Sequence, residues 1–278
     1  MAITRVANVT GLDHIGIPVY QACRPGSRSL AVSQGKGLDL DAARVSAIME
    51  CVEGFHGENV RLPLELASYR QLRSRRPVVD VDRLLRPVDS RFHADLPLLW
   101  VEGADWLRGE PVWVPFQMVH TNYSGTGPLR IEATSFAMST NGLASGNHRL
   151  EAASHAICEL IERDACYRFA LLPEEAKHAL RLDLASVDDR DCREILGHFD
   201  RAGVAVAVWD ACGPLPLPVF QCSIADREIH PAGAQAGAAG FGCHPAREIA
   251  LLRALTEAAQ SRLTAISGAR DDIQRHSY

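Results

Sequence analysis

Long apolar runs are missing from this 278-residue sequence. None approaches the ~18 consecutive apolar residues of a membrane-spanning helix, so no membrane-embedded role is expected. The N-terminus, MAITRVANVTG, lacks the basic segment and apolar stretch of a secretory signal, and the expected location is the cytoplasm. Closely spaced cysteine pairs are missing as well. Cys23, Cys51, Cys158, Cys166, Cys192, Cys212, Cys222 and Cys243 are scattered with no CxxC among them. That argues against a zinc site and for reduced thiols in or near the core. Excess positive charge is also missing. At a net charge of −5 the chain has no general electrostatic reason to bind nucleic acid or an anionic membrane surface. Any phosphate must be met locally, by a few Arg or Lys side chains, backbone N–H groups or metal ions. Two nucleotide signatures are absent too. There is no Walker A GxxxxGK[ST], and the small-residue run at 232–242 contains no GxGxxG. That run reads as a closely packed inner strand.

What is present is a large apolar fraction, 47% of residues, enough for one large domain or two smaller ones. We read 1–278 as a single domain. Short strands are expected at 3–8, 15–22 and 29–33, then a helix over 39–56 capped by Asp39 or Asp41. Residues 60–95 are basic and proline-punctuated, with Arg70, Arg73, Arg75 and Arg76 clustered. They read as a solvated connecting region with one short helix. Two strands, 97–102 and 112–119, suit a hairpin around LRGEP. A helix near 192–202 precedes apolar strands at 204–210 and 217–224. Pro245 suits the first turn of a last helix over 245–266. A polar tail ends the chain.

The most informative stretch is TNGLASGNHRLEAASHAICELIERD, residues 140–164. A small-residue loop (Asn141, Gly142, Ser145, Gly146, Asn147) leads into a long helix. At helical spacing Glu151, His155, Glu159 and Glu162 share one stripe. Carboxylates three and four apart repel, so the stripe is either solvated or holding cations. His155 reads as a ligand or as a histidine satisfied by its neighbouring glutamates.

Three segments superpose without a gap: from Ala43 to Glu53, from Ala152 to Glu162 and from Ala250 to Gln260. Their common pattern is A-x-x-[S/H/R]-A-[I/L]-x-E-x-x-[E/Q]. The repeats are too irregularly spaced for a solenoid, so they are expected to converge within one α/β domain. Glu50, Glu53, Glu159 and Glu162, with Glu151 nearby, would then form a hard oxygen set suited to Mg²⁺. A di-iron site would want Glu-x-x-His pairs instead. Arg163 and Arg253 supply cations for phosphate, Ser46 and Asn147 supply neutral hydrogen-bonding groups, and Gly146-Asn147 at a helix start offers N–H donors to an anion. Lys36 is either a phosphate contact or an exposed turn lysine. Glu257 and Gln260 either touch ligand or bond Arg253, and Arg262 is expected at the surface or just behind the site.

These motifs have a recognisable order. SQGKG and S-A-x2-E-x2-E come first, then NG-x2-SGN-x3-E-x7-E-x2-ER, then A-x2-R-A-x2-E-x2-Q-x-R. Together they resemble the YcaO family over nearly the whole chain, and the opening looks most like the branch associated with TfuA-type partners. The resemblance implies an α/β (α+β) fold with mixed sheets and three repeated helices lining a non-Walker ATP/Mg²⁺ site. It implies an ATP-dependent enzyme that phosphorylates the oxygen of a peptide backbone amide attacked by a nucleophile. An external sulfide gives a thioamide, the outcome expected here. An internal Cys, Ser or Thr gives an azoline, the activity of a cyclodehydratase of ribosomally made peptides. A third reading is a non-catalytic ATP-binding accessory factor for ribosomal-protein methylthiolation.

Carried onto this chain, the family's Mg²⁺ positions fall on Glu50, Glu53, Glu151, Glu159 and Glu162. Its nucleotide positions fall on Ser46, Asn147, Arg163 and Arg253, with Lys36 beside them. No protein nucleophile is expected. Implied partners are a ribosomally made peptide or protein substrate and a TfuA-like protein, and a homodimer is expected. The sequence departs from the family at Gly54, where many members carry Arg, and at His155, where some carry Gln. It is shorter than members at both ends, and the proline-rich C-terminus of azoline-forming members is missing.

Overall fold

The computed structural model describes residues 1–124, 135–228 and 237–270. Residues 232–236 of the small-residue run and 271–278 of the polar tail lie outside the described residues. Among the described residues no helix is long and apolar enough to cross a membrane. The chain divides into two compact units. One comprises residues 1–26, 30–53 and 141 onward, and the other comprises 27–29 and 54–140.

The first unit opens with β1 (Arg5–Asn8), β2 (Val19–Cys23) and β3 (Val32–Lys36), an antiparallel sheet in that order. β2 starts later than its sequence suggests. A 3-10 turn at Thr10–Leu12 intervenes, and Val19 N–H donates to the Thr10 hydroxyl at 3.1 Å. β3 runs three residues beyond its expected end, because Gly35 pairs with Tyr20 in the ladder. Helix α1 (Leu40–Glu58) follows. Asp39 rather than Asp41 caps it, accepting from Ala42 N–H at 2.7 Å.

The second unit holds β4 (Leu64–Ser68), α2 (Tyr69–Arg73), β5 (Pro97–Asp105) and β6 (Glu110–Pro115), with antiparallel order β4-β5-β6. The expected hairpin is present. The expected connecting region is more than a connection, since Leu64–Ser68 pairs along β5. Leu, Glu and Ala favour helix; pairing with a neighbouring strand overrides that preference. Leu72, Val81, Leu98, Trp100 and Phe136 form this unit's core, and the Trp100 indole N–H donates to the Ala67 carbonyl at 2.9 Å. The clustered arginines are engaged at its surface. Arg70 pairs with Asp95 and Arg75 with Glu65, while Arg73 and Arg76 lie over the rings of Tyr69 and Trp113.

The chain returns to the first unit with α3 (Arg149–Ala170), α4 (Glu174–Ala179), α5 (Arg190–Arg201), β7 (Val204–Asp210), β8 (Val219–Asp226), β9 (Ala238–Cys243) and α6 (Arg247–Ser267). Among the described residues the expected mixed sheets therefore resolve into three antiparallel ones, the last in the order β7-β8-β9. The glycine run does end in a closely packed strand, β9, but at the edge of its sheet rather than inside it. Pro245 stands just outside α6, whose N-cap is Ala246; the Ala246 N–H donates to His244 Nδ1 at 3.0 Å.

The core of this unit lies where α5 and α6 cover the last sheet: Ile195, Phe199, Val204, Val208, Cys222, Ile224, Ala254, Leu255 and Ala258 are buried together. The recurring alanines have a steric reason. A Cβ on Gly242 would lie 2.7 Å from Ala254 N, and one on Gly240 would lie 2.7 Å from the Glu257 carbonyl carbon. On the other side of the repeat, a Cβ on Gly35 would lie 2.7 Å from the Ser46 carbonyl carbon. Strand glycines thus meet helix alanines backbone to backbone, in both β3–α1 and β9–α6.

Arg262 is not at the surface. It is 2% exposed, with Nε 2.9 Å from Asp13 and Nη1 3.0 Å from Asp226. Replacing one partner of such a buried pair strands the other charge. Arg262→Met is expected to lower stability by about 3 kcal/mol, measured by urea denaturation. A change below about 0.5 kcal/mol, the size of an ordinary surface substitution, would show that the pair is not structural.

Candidate functional site

The repeated helices place one glutamate at the same register, and each glutamate does the same thing. Glu50 on α1 accepts the Gln34 N–H at 3.0 Å. Glu159 on α3 accepts the Gly142 N–H at 3.1 Å, and Gly142 holds φ at +83°. Glu257 on α6 accepts the Phe241 N–H at 3.3 Å. In every case a carboxylate leaves its helix and caps a backbone donor of an adjoining segment. Charge-assisted bonds of this kind are stronger than neutral ones and fix the side chain's direction.

The other glutamates are held similarly. Glu53 Oε1 accepts the Ser145 N–H at 2.8 Å and the Ser145 hydroxyl at 2.5 Å. Glu151 accepts the Asn147 N–H at 2.9 Å and a long bond from Asn147 Nδ2 at 3.4 Å. The Asn147 N–H is therefore occupied by the chain's own carboxylate rather than open to an anion. The N-cap of α3 is His148, whose Nδ1 accepts the Leu150 N–H. Glu162 is 6% exposed and lies one turn beyond Glu159.

The cations divide differently from expectation. Lys36 is neither exposed nor in a turn. It sits on β3 with Nζ 2.6 Å from Glu257 Oε2. Arg253 bonds His155, Nη2 to Nε2 at 3.1 Å, and the buried Arg253 Nε has no hydrogen-bond partner among the described residues. His155 is satisfied by an arginine rather than by Glu151 or Glu159. Arg163 is largely exposed and reaches Glu159 at 3.6 Å. Ser46 is half-buried on α1, with its carbonyl carbon in the close approach to Gly35.

Acids outnumber cations here, but burial is what chiefly sets the ionisation of the carboxyls. Glu50 is reached by solvent along its surface yet is closely surrounded by protein. That desolvation, with repulsion from Glu53, raises it to about 7, against the Gln34 N–H, Lys36 and Arg270. Burial likewise raises Glu53, helped by the Glu159 charge and opposed by Ser145. Glu162 is raised by burial and by Glu257, against Arg253, Lys36 and Arg163. Glu257 goes the other way. Burial is the largest single influence and pushes it up, but Lys36, the Phe241 N–H and Arg163 together hold it below the ordinary carboxylate value. Burial and the charges of Arg253 and Lys36 keep His155 neutral at lower pH than a free histidine, against Glu151.

A carboxyl whose folded pKa is raised binds its proton more readily folded than unfolded. Stability from it is full below the unfolded value, 4.5, and is lost as pH rises through about 7. The metal-free chain is therefore expected to melt lower at about pH 8 than at about pH 5. Glu50→Gln should flatten that slope in thermal melts with chelator present. An unchanged slope in the variant would remove Glu50 as its source.

Sequence reasoning left two members of the site undecided or unseen. Glu257 was in register with Glu50 and Glu159 all along, so the repeat itself carried the signal. The Ser145 clasp on Glu53 joins residues 92 apart in sequence, and no local pattern announces it.

Among the described residues no three His, Cys, Asp or Glu side chains stand close enough together to hold a metal ion. The carboxylates act on one another through their charges instead: Glu53 raises Glu50, Glu159 raises Glu53, and Glu257 raises Glu162.

Comparison with known proteins gives these features a family. Residues 34–278 match the YcaO cyclodehydratase family, described as ATP- and Mg²⁺-binding. An uncharacterised protein in the tfuA 3′ region of Rhizobium leguminosarum bv. trifolii is 38% identical over 286 residues, covering 99% of this chain and 65% of that protein. The YcaO protein of Methanopyrus kandleri, solved with AMPPCP and Mg²⁺, aligns with TM-score 0.69 and 25% identity over 98% of this chain and 64% of that one. A heterocyclase solved in complex with substrate and cofactor aligns with TM-score 0.74 at 20% identity, over 93% of this chain and 37% of its own, a likeness of fold. The chain spans about two thirds of the length of the Rhizobium and Methanopyrus proteins. It belongs to the YcaO family.

Proposed function

We propose that this chain binds ATP with Mg²⁺ and activates a peptide backbone amide by phosphorylating the amide oxygen, with an external sulfur source completing a thioamide. The observation that carries the reading is the repeated clasp. Glu50, Glu159 and Glu257 are held in register by backbone donors, among carboxyls that repel one another without a cation. Carboxylate oxygens are the donors hard divalent ions take, and Mg²⁺ would have to draw these side chains closer together than they stand here. Glu50, Glu53, Glu151, Glu159 and Glu162 would hold Mg²⁺, and Glu257 belongs with them. Ser46, Asn147, Arg163, Arg253 and Lys36 would contact the nucleotide. The buried, unpartnered Arg253 Nε supports a ligand at that point. Bound Mg²⁺ would neutralise polyphosphate charge. The chain's own part is to hold the phosphates against Arg163 and Arg253, and to keep His155 neutral so that its Nε2 accepts from Arg253 and directs the guanidinium.

The preference for thioamide over azoline rests on the relative in the tfuA 3′ region. A TfuA-like partner, a ribosomally made peptide or protein substrate and a homodimeric state are parts of the same proposal. The heterocyclase likeness is the observation that favours azoline formation as the second reading. The test is ATP hydrolysis with mass spectrometry on candidate peptides, with and without sulfide and the partner protein. Exchange of one oxygen for sulfur is the expected result. Loss of one water would transfer the assignment to azoline formation. Nucleotide binding without turnover in every mixture would leave an accessory factor.

A further inference from the structure

A groove of about 810 Å³ opens on the face of the last sheet opposite α6. Its floor is a cross-strand ladder. Trp209 on β7 pairs with Gln221 on β8, and Gln221 with Phe241 on β9. Residues directly opposite in a ladder share a face, so the three side chains form one continuous strip. Cys166 and Phe169 of α3 make one wall, and the Phe169 ring lies 6.3 Å from that of Trp209. Lys177, His178 and Arg181 make the other.

Three features say what the groove takes. It adjoins the carboxylate site: Phe241 is the residue whose N–H meets Glu257, and Cys166 lies one turn beyond Glu162. Its rim is electrically balanced, Lys177 and Arg181 against Glu174 and Glu175, with Lys177 paired to Glu174 at 2.8 Å. Its floor is aromatic but not wholly apolar. Neither the Gln221 amide nor the Trp209 indole N–H makes a hydrogen bond among the described residues. Aromatic rings with a free amide and a free N–H donor suit a neutral polypeptide segment, an apolar side chain on the rings and a backbone amide on Gln221.

Resting on the function proposed above, we propose that the polypeptide substrate lies in this groove, with an aromatic or large aliphatic residue near the modified amide seated on the Trp209–Gln221–Phe241 strip. It is thus a specificity subsite, reading the residue beside the reacting amide.

The test uses the full chain and two neutral probes, Ac-Gly-Phe-NH₂ and Ac-Gly-Ser-NH₂, with binding followed by ligand-observed NMR. The phenylalanine probe is expected to bind at least about tenfold more tightly, as burial of an aromatic ring requires. Gln221→Ala should weaken it at least about fivefold, the loss of one hydrogen bond. Trp209→Phe, which keeps a ring and deletes the N–H donor, is the second variant should the first melt early. Equal binding of the two probes, no binding of either, or wild-type binding by both variants would overturn the inference. A Mg²⁺–ATP titration on the same samples separates the two proposals. Normal nucleotide affinity beside a failed probe experiment sinks the groove alone, and absent nucleotide affinity sinks the function whatever the probes do.

Discussion

Glu159→Ala is expected to abolish Mg²⁺-dependent nucleotide binding while the chain stays folded. Glu159 occupies the middle of the repeated clasp, tied to Gly142 on one side and facing Arg163 on the other. Its charge also acts on Glu53. As a ligand it would touch the metal directly, and even outer-shell partners of a metal cost about 10–100-fold in affinity when removed. A fall of more than about 100-fold is therefore expected, read by calorimetric titration with ATP at fixed Mg²⁺. The fold should survive because the side chain is partly exposed and the freed Gly142 N–H can find water. A stability loss of about 1 kcal/mol is anticipated for the bond itself. Glu159→Gln sharpens the experiment. It retains an acceptor for Gly142 and removes the repulsion on Glu53, so the metal-free variant should be at least as stable as the parent, yet still fail to bind. Undiminished ATP affinity in either variant would remove Glu159 from the metal site.

Gly240→Val should leave no folded protein, and Gly240→Ala should cost more than about 3 kcal/mol, beyond the usual range for an overpacked core. The atoms in the way are the backbone of α6 at Ala254, Glu257 and Ala258, which cannot rotate aside. For a chain of this size that loss corresponds to a fall of about 6–12 °C in melting temperature. Gly11→Ala is the control, since nothing lies within 4 Å of its added Cβ. It should stay within about 0.5 kcal/mol of the parent. A Gly240→Ala variant that melts with the control would mean that β9 and α6 are not packed backbone to backbone. The same experiment at Gly35 would probe the matching contact with α1.

The helices and the acidic register were legible because they rest on local periodicity. A pattern of alanines four apart with a glutamate three further on is visible in one dimension, and all three copies fold as helices. The apolar, β-branched strands at Val204–Asp210 and Val219–Asp226 were legible for the same reason. What failed were features decided at a distance. Leu64–Ser68 has the composition of a helix and becomes a strand because β5 runs beside it. Arg262 looks like any surface arginine until Asp13, 249 residues away, meets it in the core. The cations Lys36 and Arg253 were both legible as candidates for the site. Their partners, Glu257 and His155, were left open because ion pairing between distant segments leaves no periodic trace.

Basic side chains in this sequence are almost all arginine; the lysines are Lys36 and Lys177. One lies against Glu257 and the other stands on the rim of the aromatic groove. Amine-directed chemistry is therefore confined to two informative addresses and the chain's N-terminus. An acylating reagent, read peptide by peptide, becomes a pair of independent occupancy gauges. Shielding of Lys36 reports what enters beside the carboxylates, and shielding of Lys177 reports what lies along the sheet. Neither gauge has to be engineered, because guanidinium groups, which stay protonated, remain silent to the reagent.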